Sequence, residues 1–226
     1  MLHQLAENLW VTAAPHKMMG LHLGTRMTLV RLQNGSLWLH SPVPITPELK
    51  AAVDALGQVG HIVCPNLFHH LYAHEATAAW PAALLHGPAK LARKRRDLSF
   101  GATLLEAQPH PDWQGTLKPL SIGGCMLGET VFLHEASGTL ISSDLLENFQ
   151  TSPHLFTRCY LKISGVHGKV GWSKLLRWVY RDHTQARADL GRILHWDFDR
   201  IILAHGDVIE SDGPNNLRQG MDWLLR

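Results

Sequence analysis

The sequence predicts an α/β sandwich, two β-sheets packed face to face with helices on their outer surfaces. Three observations carry this reading. Asn34-Gly35 separates the β-rich runs at residues 27–32 and 36–40, and Asn-Gly is the strongest short-range hairpin signal. A second pair of β-rich runs, residues 130–134 and 138–142, brackets Glu135-Ala136-Ser137 and reads as another hairpin. Beyond Asp144, helical patterns surround one last apolar strand, which places helices outside the sheets. Both hairpins argue against the alternative, a doubly wound parallel sheet.

In chain order, residues 8–13 read as the first strand, ended by Pro15, and a loop runs through Lys17-Met18-Met19 to Gly20. The Asn34-Gly35 hairpin follows. Thr46-Pro47-Glu48 supplies an N-cap, a first-turn proline and an acidic first turn, opening a helix that ends at Gly57. Gly60-His61-Ile62-Val63 is a short buried strand. Residues 77–85 are expected to be partly helical with a boundary at Pro81, and residues 102–106 and 116–122 to be strands. After the second hairpin, a long helix is expected from Gly171 through Tyr180. Another is expected over residues 184–194, then a buried strand over 198–204 and a closing helix over 215–225.

The 226 residues, 45% hydrophobic, suit one compact domain spanning 1–226. With 21 basic and 19 acidic side chains, the net charge of +2 gives no electrostatic footprint for nucleic acid. The basic run at residues 90–96 is read as a solvated helix end, with an anion-binding or lipid-headgroup patch as the other reading. No apolar run approaches the ~18 residues of a membrane span, so no membrane partner is expected. The N-terminus lacks a basic start followed by an apolar run, so no signal peptide is expected. Cys64, Cys125 and Cys159 are widely spaced with no Cys-x-x-Cys pair, which points to a reducing compartment and a cytoplasmic location. Gly123-Gly124 and Gly206 make no phosphate loop.

The chemistry gathers at strand ends. Cys64-Pro65-Asn66-Leu67-Phe68-His69-His70 follows the strand at 60–63 and delivers two imidazoles. Thr139-Leu140-Ile141-Ser142-Ser143-Asp144 delivers one carboxylate, and Ile201-Ile202-Leu203-Ala204-His205-Gly206 one imidazole ahead of a glycine. Carboxylate with two or three imidazoles suits zinc, iron or manganese. Sixteen histidines raise the odds of a metal without locating it.

On these residues the chain resembles the metallo-β-lactamase superfamily, from the Asn34-Gly35 hairpin to Ala204-His205-Gly206. The resemblance implies an αββα sandwich with metals at one edge of the sheets. The family's first metal motif, Thr-His-x-His-x-Asp-His, places its final Asp-His on His69-His70 and its first two histidines on Pro65 and Leu67, which cannot ligate. The later family histidine falls on Cys125, the bridging aspartate on Asp144, and the last histidine on His205. The resemblance therefore implies that one metal site is lost and the other kept, with His69, His70, Asp144 and His205 around one divalent ion, zinc foremost. It also resembles an uncharacterised branch of that superfamily in which Asn-x-x-His-His, an Asp turn and a His-Gly turn recur.

Each of these residues also has a plain structural reading. Asp144 serves equally as a helix N-cap, and His205 as a residue packed under the last helix. Glu129 and His134 flank a strand, where cross-strand pairing is the first reading, and Cys125 reads as a small buried hydrophobe. The remaining histidines, among them His16, His40, His61, His86 and His110, are assigned to surface or core. The expected function is a metal-dependent hydrolase acting on an ester, phosphoester or lactone, with Asp144 orienting the attacking water and a small molecule as substrate. The alternative is a non-catalytic protein of the same fold that binds a small ligand or partner, its metal structural or absent. The sequence leaves the oligomeric state open.

Overall fold

The computed structural model describes residues 1–104 and 109–226. The chain opens with β1 (His3–Ala6) and β2 (Leu9–Ala14), joined at Asn8, which takes a positive φ of 60° to make the turn. β3 (Lys17–Met18) and β4 (Leu21–His22) form a small hairpin where the sequence reads as loop. β5 (Thr25–Arg31) and β6 (Leu37–His40) pair antiparallel across Asn34-Gly35, as expected, with Gly35 at φ +83°. Then come α1 (Pro47–Asp54), capped by Thr46 Oγ1 accepting from the Leu49 N–H, β7 (Val59–Val63) and α2 (Ala73–Ala79). β8 (Leu84–Gly87), α3 (Ala89–Lys94) and β9 (Ala102–Thr103) follow. The strands make one seven-stranded sheet in the order β1-β2-β5-β6-β7-β8-β9, antiparallel up to β6 and parallel beyond. The stretch expected to be partly helical divides at Pro81 into α2 and β8. Residues 105–106 of the expected strand lie outside the described residues.

The second half builds the facing sheet from β10 (Leu117–Ser121), β11 (Thr130–His134) and β12 (Thr139–Ile141). A small sheet joins β13 (Glu147–Phe149) to β14 (Lys169–Gly171), with α4 (Leu155–Ser164) between them. α5 (His183–Ile193) precedes β15 (Arg200–Ile202), and α6 (Gly213–Gly220) and α7 (Asp222–Leu225) end the chain. The sheet order is β10-β11-β12-β15, with β15 parallel to β12. Two expectations are corrected here. The stretch from Gly171 to Tyr180 is a strand end followed by a short 3-10 helix over Lys174–Val179, not a long helix. The closing helix is two short ones, broken at Met221.

Three apolar layers hold the two main sheets and their covering helices, and a fourth cluster of Leu21, Leu23, Phe149, Leu161 and Val166 packs α4 on β4 and β13. Between the sheets, Trp38, Val63, Phe132, Ile141 and Ile202 are buried, with Trp38 and Phe132 edge to face at 4.9 Å. Outside the first sheet, Val53, Ala73, Ala76 and Leu91 from α1–α3 cover its outer face. Outside the second, Ala186, Leu190, Ile193, Leu217 and Leu224 from α5–α7 do the same. The result is helix, sheet, sheet, helix, the sandwich expected from the sequence. Among the described residues, no helix is long and apolar enough to cross a membrane.

Candidate metal centre

β12 and β15 set the first part of the site. Their parallel register pairs Ile141 with Ile202. Carried three residues beyond that pair, it brings Asp144 beside His205. Two hydrogen bonds hold this extension: Ser142 N–H donates to Ile202 O at 3.0 Å and Ala204 N–H donates to Ser143 O at 3.1 Å. His205 Nε2 then lies 3.5 Å from Asp144 Oδ1. The turn that follows needs Gly206, whose φ is +78°; a Cβ there would stand 2.1 Å from Asn148 O. Arg26 on β5 clamps the same turn by donating to the carbonyls of Leu203 and Gly206.

The second part comes from the loop after β7. Asn66, fully buried, folds that loop: its Oδ1 accepts from the N–H groups of Phe68 and His69, each at 2.8 Å. Its amide donates to Asp144 Oδ2 at 2.8 Å. The turn presents His69 Nε2 to Asp144 Oδ1 at 3.2 Å. His69, Asp144 and His205 thus each offer one ligand atom, all within 4.8 Å of one another. The outer nitrogens of both imidazoles are engaged: His69 Nδ1 lies 2.6 Å from Ser41 Oγ, and His205 Nδ1–H donates to Gly24 O at 2.8 Å. This is how ligating imidazoles are usually oriented, with Nε2 left for the ion.

His70 is a correction to the sequence reading, which counts it as a ligand. Neighbouring side chains on this tight turn diverge, and His70 points to the basic end of α3. Arg95 donates to its Nδ1 at 2.7 Å, and Lys94 Nζ lies 3.3 Å from its Nε2. Burial, then the charges of Lys94 and Arg95, lower its pKa. The structure therefore brings together His69, Asp144 and His205 and leaves His70 outside. Part of the basic run, read as solvated, is turned inward to receive it.

Two carboxylates belong to the site beyond the expected set. Glu129, at the start of β11, is buried and accepts from the N–H of Ser143 at 2.7 Å and of Asp144 at 2.9 Å. It orients Asp144 from behind, and burial followed by the Asp144 charge raises its carboxyl to about 7. Glu147 on β13 has a buried Oε2 with no hydrogen-bond partner among the described residues. Burial and then Asp144 push its carboxyl up to about 8. No motif marks Glu147 in the sequence, where it follows Leu145-Leu146 and precedes Asn148. His134 sits at the opposite end of β11, bonded to Ser137 Oγ at 2.7 Å, and takes no part. Cys125 is half-buried with its thiol raised to about 11, chiefly by burial. It is not in the group of converging ligand atoms.

The electrostatics suit a cation. Burial alone would raise the Asp144 carboxyl, but His69, His205 and the Asn66 amide hold it well below the usual range, so it is ionised. Burial pushes His205 down to about 4, leaving it neutral and free to ligate. For His69, the pull of Asp144 outweighs burial and raises the pKa. Two imidazoles and one carboxylate fit a divalent transition ion, and three protein ligands leave a position free.

Comparison with known proteins places this geometry in context. Residues 6–90 match the model of a domain of unknown function, DUF4336. That match ends before Asp144 and His205. No curated protein matches the chain. Among solved structures, the metallo-β-lactamase from Pontibacter korlensis shares 13% identity at a TM-score of 0.70, covering 99% of this chain and 98% of that one. The metallo-β-lactamase from Hirschia baltica shares 10% at 0.68, over 100% and 97%. FIM-1 from Pseudomonas aeruginosa, in its mono-zinc form, shares 10% at 0.66, over 100% and 96%.

Proposed function

We propose that this chain, which has the metallo-β-lactamase fold, is a mononuclear metal-dependent hydrolase acting on an ester, phosphoester or lactone. The observation that carries the reading is the convergence of His69 Nε2, Asp144 Oδ1 and His205 Nε2 with both outer imidazole nitrogens already tied to Ser41 and Gly24. His69, Asp144 and His205 would hold the ion. A divalent ion bound there supplies Lewis-acid polarisation and a water of lowered pKa. Zinc is the first choice for such a donor set, with iron or manganese next.

The protein's own groups supply orientation. Asn66 donates to Oδ2 of the Asp144 carboxylate, which leaves Oδ1 to the imidazoles, and Glu129 holds the backbone beneath it by accepting the Asp144 N–H. A groove of about 530 Å³ runs from Gly24 between the β3–β4 hairpin and residues 149–154. Pro15, Leu23, Phe149 and Pro153 give it apolar walls, and Lys17 adds a cation. It suits the non-reacting part of a small substrate with an anionic group.

The test is elemental analysis of untagged protein, followed by assay against p-nitrophenyl acetate, bis(p-nitrophenyl) phosphate and a simple lactone. Metal-dependent turnover lost in Asp144→Asn supports the reading. Bound metal without turnover on any of the three would instead make the centre structural.

A further inference from the structure

A second set of metal-ligating side chains meets on β7 ahead of the loop that carries His69. His61 Nε2 lies 3.1 Å from Asp112 Oδ2, and His110 Nδ1 lies 3.8 Å from the same oxygen. The three donor atoms all fall within 4.8 Å of one another. Donors around a tetrahedral ion with bonds of about 2.1 Å stand roughly 3.4 Å apart, between the two observed separations.

The surroundings are those of a built site. His61 is buried between the sheets, and its Nδ1 lies 3.0 Å from Nε2 of His86, one strand over on β8. His86 Nε2 can accept the His61 Nδ1–H and so fix the ring, in the place that a carboxylate, carbonyl or water usually takes behind a ligating histidine. Pro111 holds His110 and Asp112 in a single tight turn, so both side chains face β7. Trp113 completes the turn by packing on His86 at 4.8 Å and His61 at 5.9 Å. His110 Nδ1 also accepts a long 3.3 Å contact from the Asp112 N–H. The side chains of His110 and Asp112 are 29% and 40% exposed, so an ion reaches the site from solvent and water completes its coordination.

We propose that His61, His110 and Asp112 form a second binding site for a divalent transition metal, with His86 as the hydrogen-bond partner of His61. Two imidazoles and a carboxylate select borderline ions such as Zn²⁺ or Co²⁺ over Mg²⁺ or Ca²⁺. The ion ties the turn at residues 110–113 to the parallel half of the first sheet. The site is independent of the centre at Asp144, because the two share no residue.

Cobalt titration of untagged, chelator-treated full-length protein tests this, read by visible absorption and calorimetry. Asp144→Ala provides the background, so that binding at the first centre does not enter. That variant binds one equivalent of Co²⁺, and adding Asp112→Asn or His110→Gln weakens this binding at least about tenfold. Melting of the double variants within a few degrees of the background shows that the fold is kept. Equal Co²⁺ affinity in the background and both double variants overturns the proposal, as does absence of binding in Asp144→Ala.

Discussion

Asn66 and Asp144 stand 78 positions apart in the chain, yet the amide of one donates to the carboxylate of the other at 2.8 Å. Through its other atom, Asn66 also accepts the backbone N–H of His69. One buried amide therefore ties two candidate metal ligands to each other. Replacing it with alanine should leave Asp144 and the His69 loop free to move apart. The expected outcome for Asn66→Ala is metal affinity at the centre reduced about 10- to 100-fold, measured by competition with a chromophoric chelator. Unchanged affinity would mean that Glu129 and the strand ends suffice.

His205→Ala and Asp144→Ala should each abolish binding at this centre, while His134→Ala and His70→Ala should leave it intact. His134 lies at the wrong end of β11, and His70 is committed to Arg95. Metal stoichiometry of the four variants checks this directly. Loss of metal in His70→Ala would place its imidazole among the ligands after all.

Gly206→Ala should be costly. The residue holds φ +78°, and its new methyl would press on Asn148 O. A strained backbone of this kind costs about 1–3 kcal/mol before the clash is counted. At roughly 2–4 °C per kcal/mol for a chain of this size, a fall of ~5 °C or more in Tm is expected. A shift under about 2 °C would show that the His205 turn is free to rearrange.

The metal-free protein should lose stability as pH rises from about 6.5 to 8.5. Glu147 has an ordinary value of 4.5 and a folded value of about 8, so the folded protein keeps a proton that the unfolded chain has released. Between those values each added pH unit favours unfolding, by at most about 1.4 kcal/mol per group. The lowered values of His40 and His205 act in the opposite sense, but only below the 6.5 at which unfolded histidine titrates. Melting curves of chelator-treated protein in this range should slope downward, and Glu147→Gln should flatten them. Parallel slopes in the two proteins would count against a protonated Glu147.

Bound metal should raise Tm, because an ion that grips only the folded chain stabilises it by mass action. The candidate ligands His69, Asp144 and His205 follow β7, β12 and β15, so the midpoint should drop as a single transition when a strong chelator is added. An unchanged midpoint would argue against binding at either site.

Much of this was legible in the sequence where short-range chemistry decides. Asn34-Gly35 announces its hairpin, Thr46-Pro47 its helix, and the apolar runs ending in Asp144 and His205 announce their strands. What the sequence concealed depends on direction and depth. Adjacent histidines look equivalent on paper, yet the Asn66 turn sends His69 inward and His70 toward Arg95. The apolar spacing at 172–179 suggests a long helix, but the chain there makes only a six-residue 3-10 helix after β14. His61, His86 and His110 are unremarkable one at a time. Only the parallel pairing of β7 with β8 puts the first two side by side, and only the Pro111 turn brings up the third.

The clamp made by Arg26 has a lopsided genetic consequence. Its guanidinium is received by the main-chain oxygens of Leu203 and Gly206, which every residue type possesses. The donor's identity is thus fixed by chemistry, whereas the receiving Leu203 answers only to the packing of its own side chain. In a saturation library, tolerated replacements should accumulate at Leu203, mostly other aliphatics, and be scarce at Arg26, lysine included, since one ammonium cannot span both oxygens as the planar fork does.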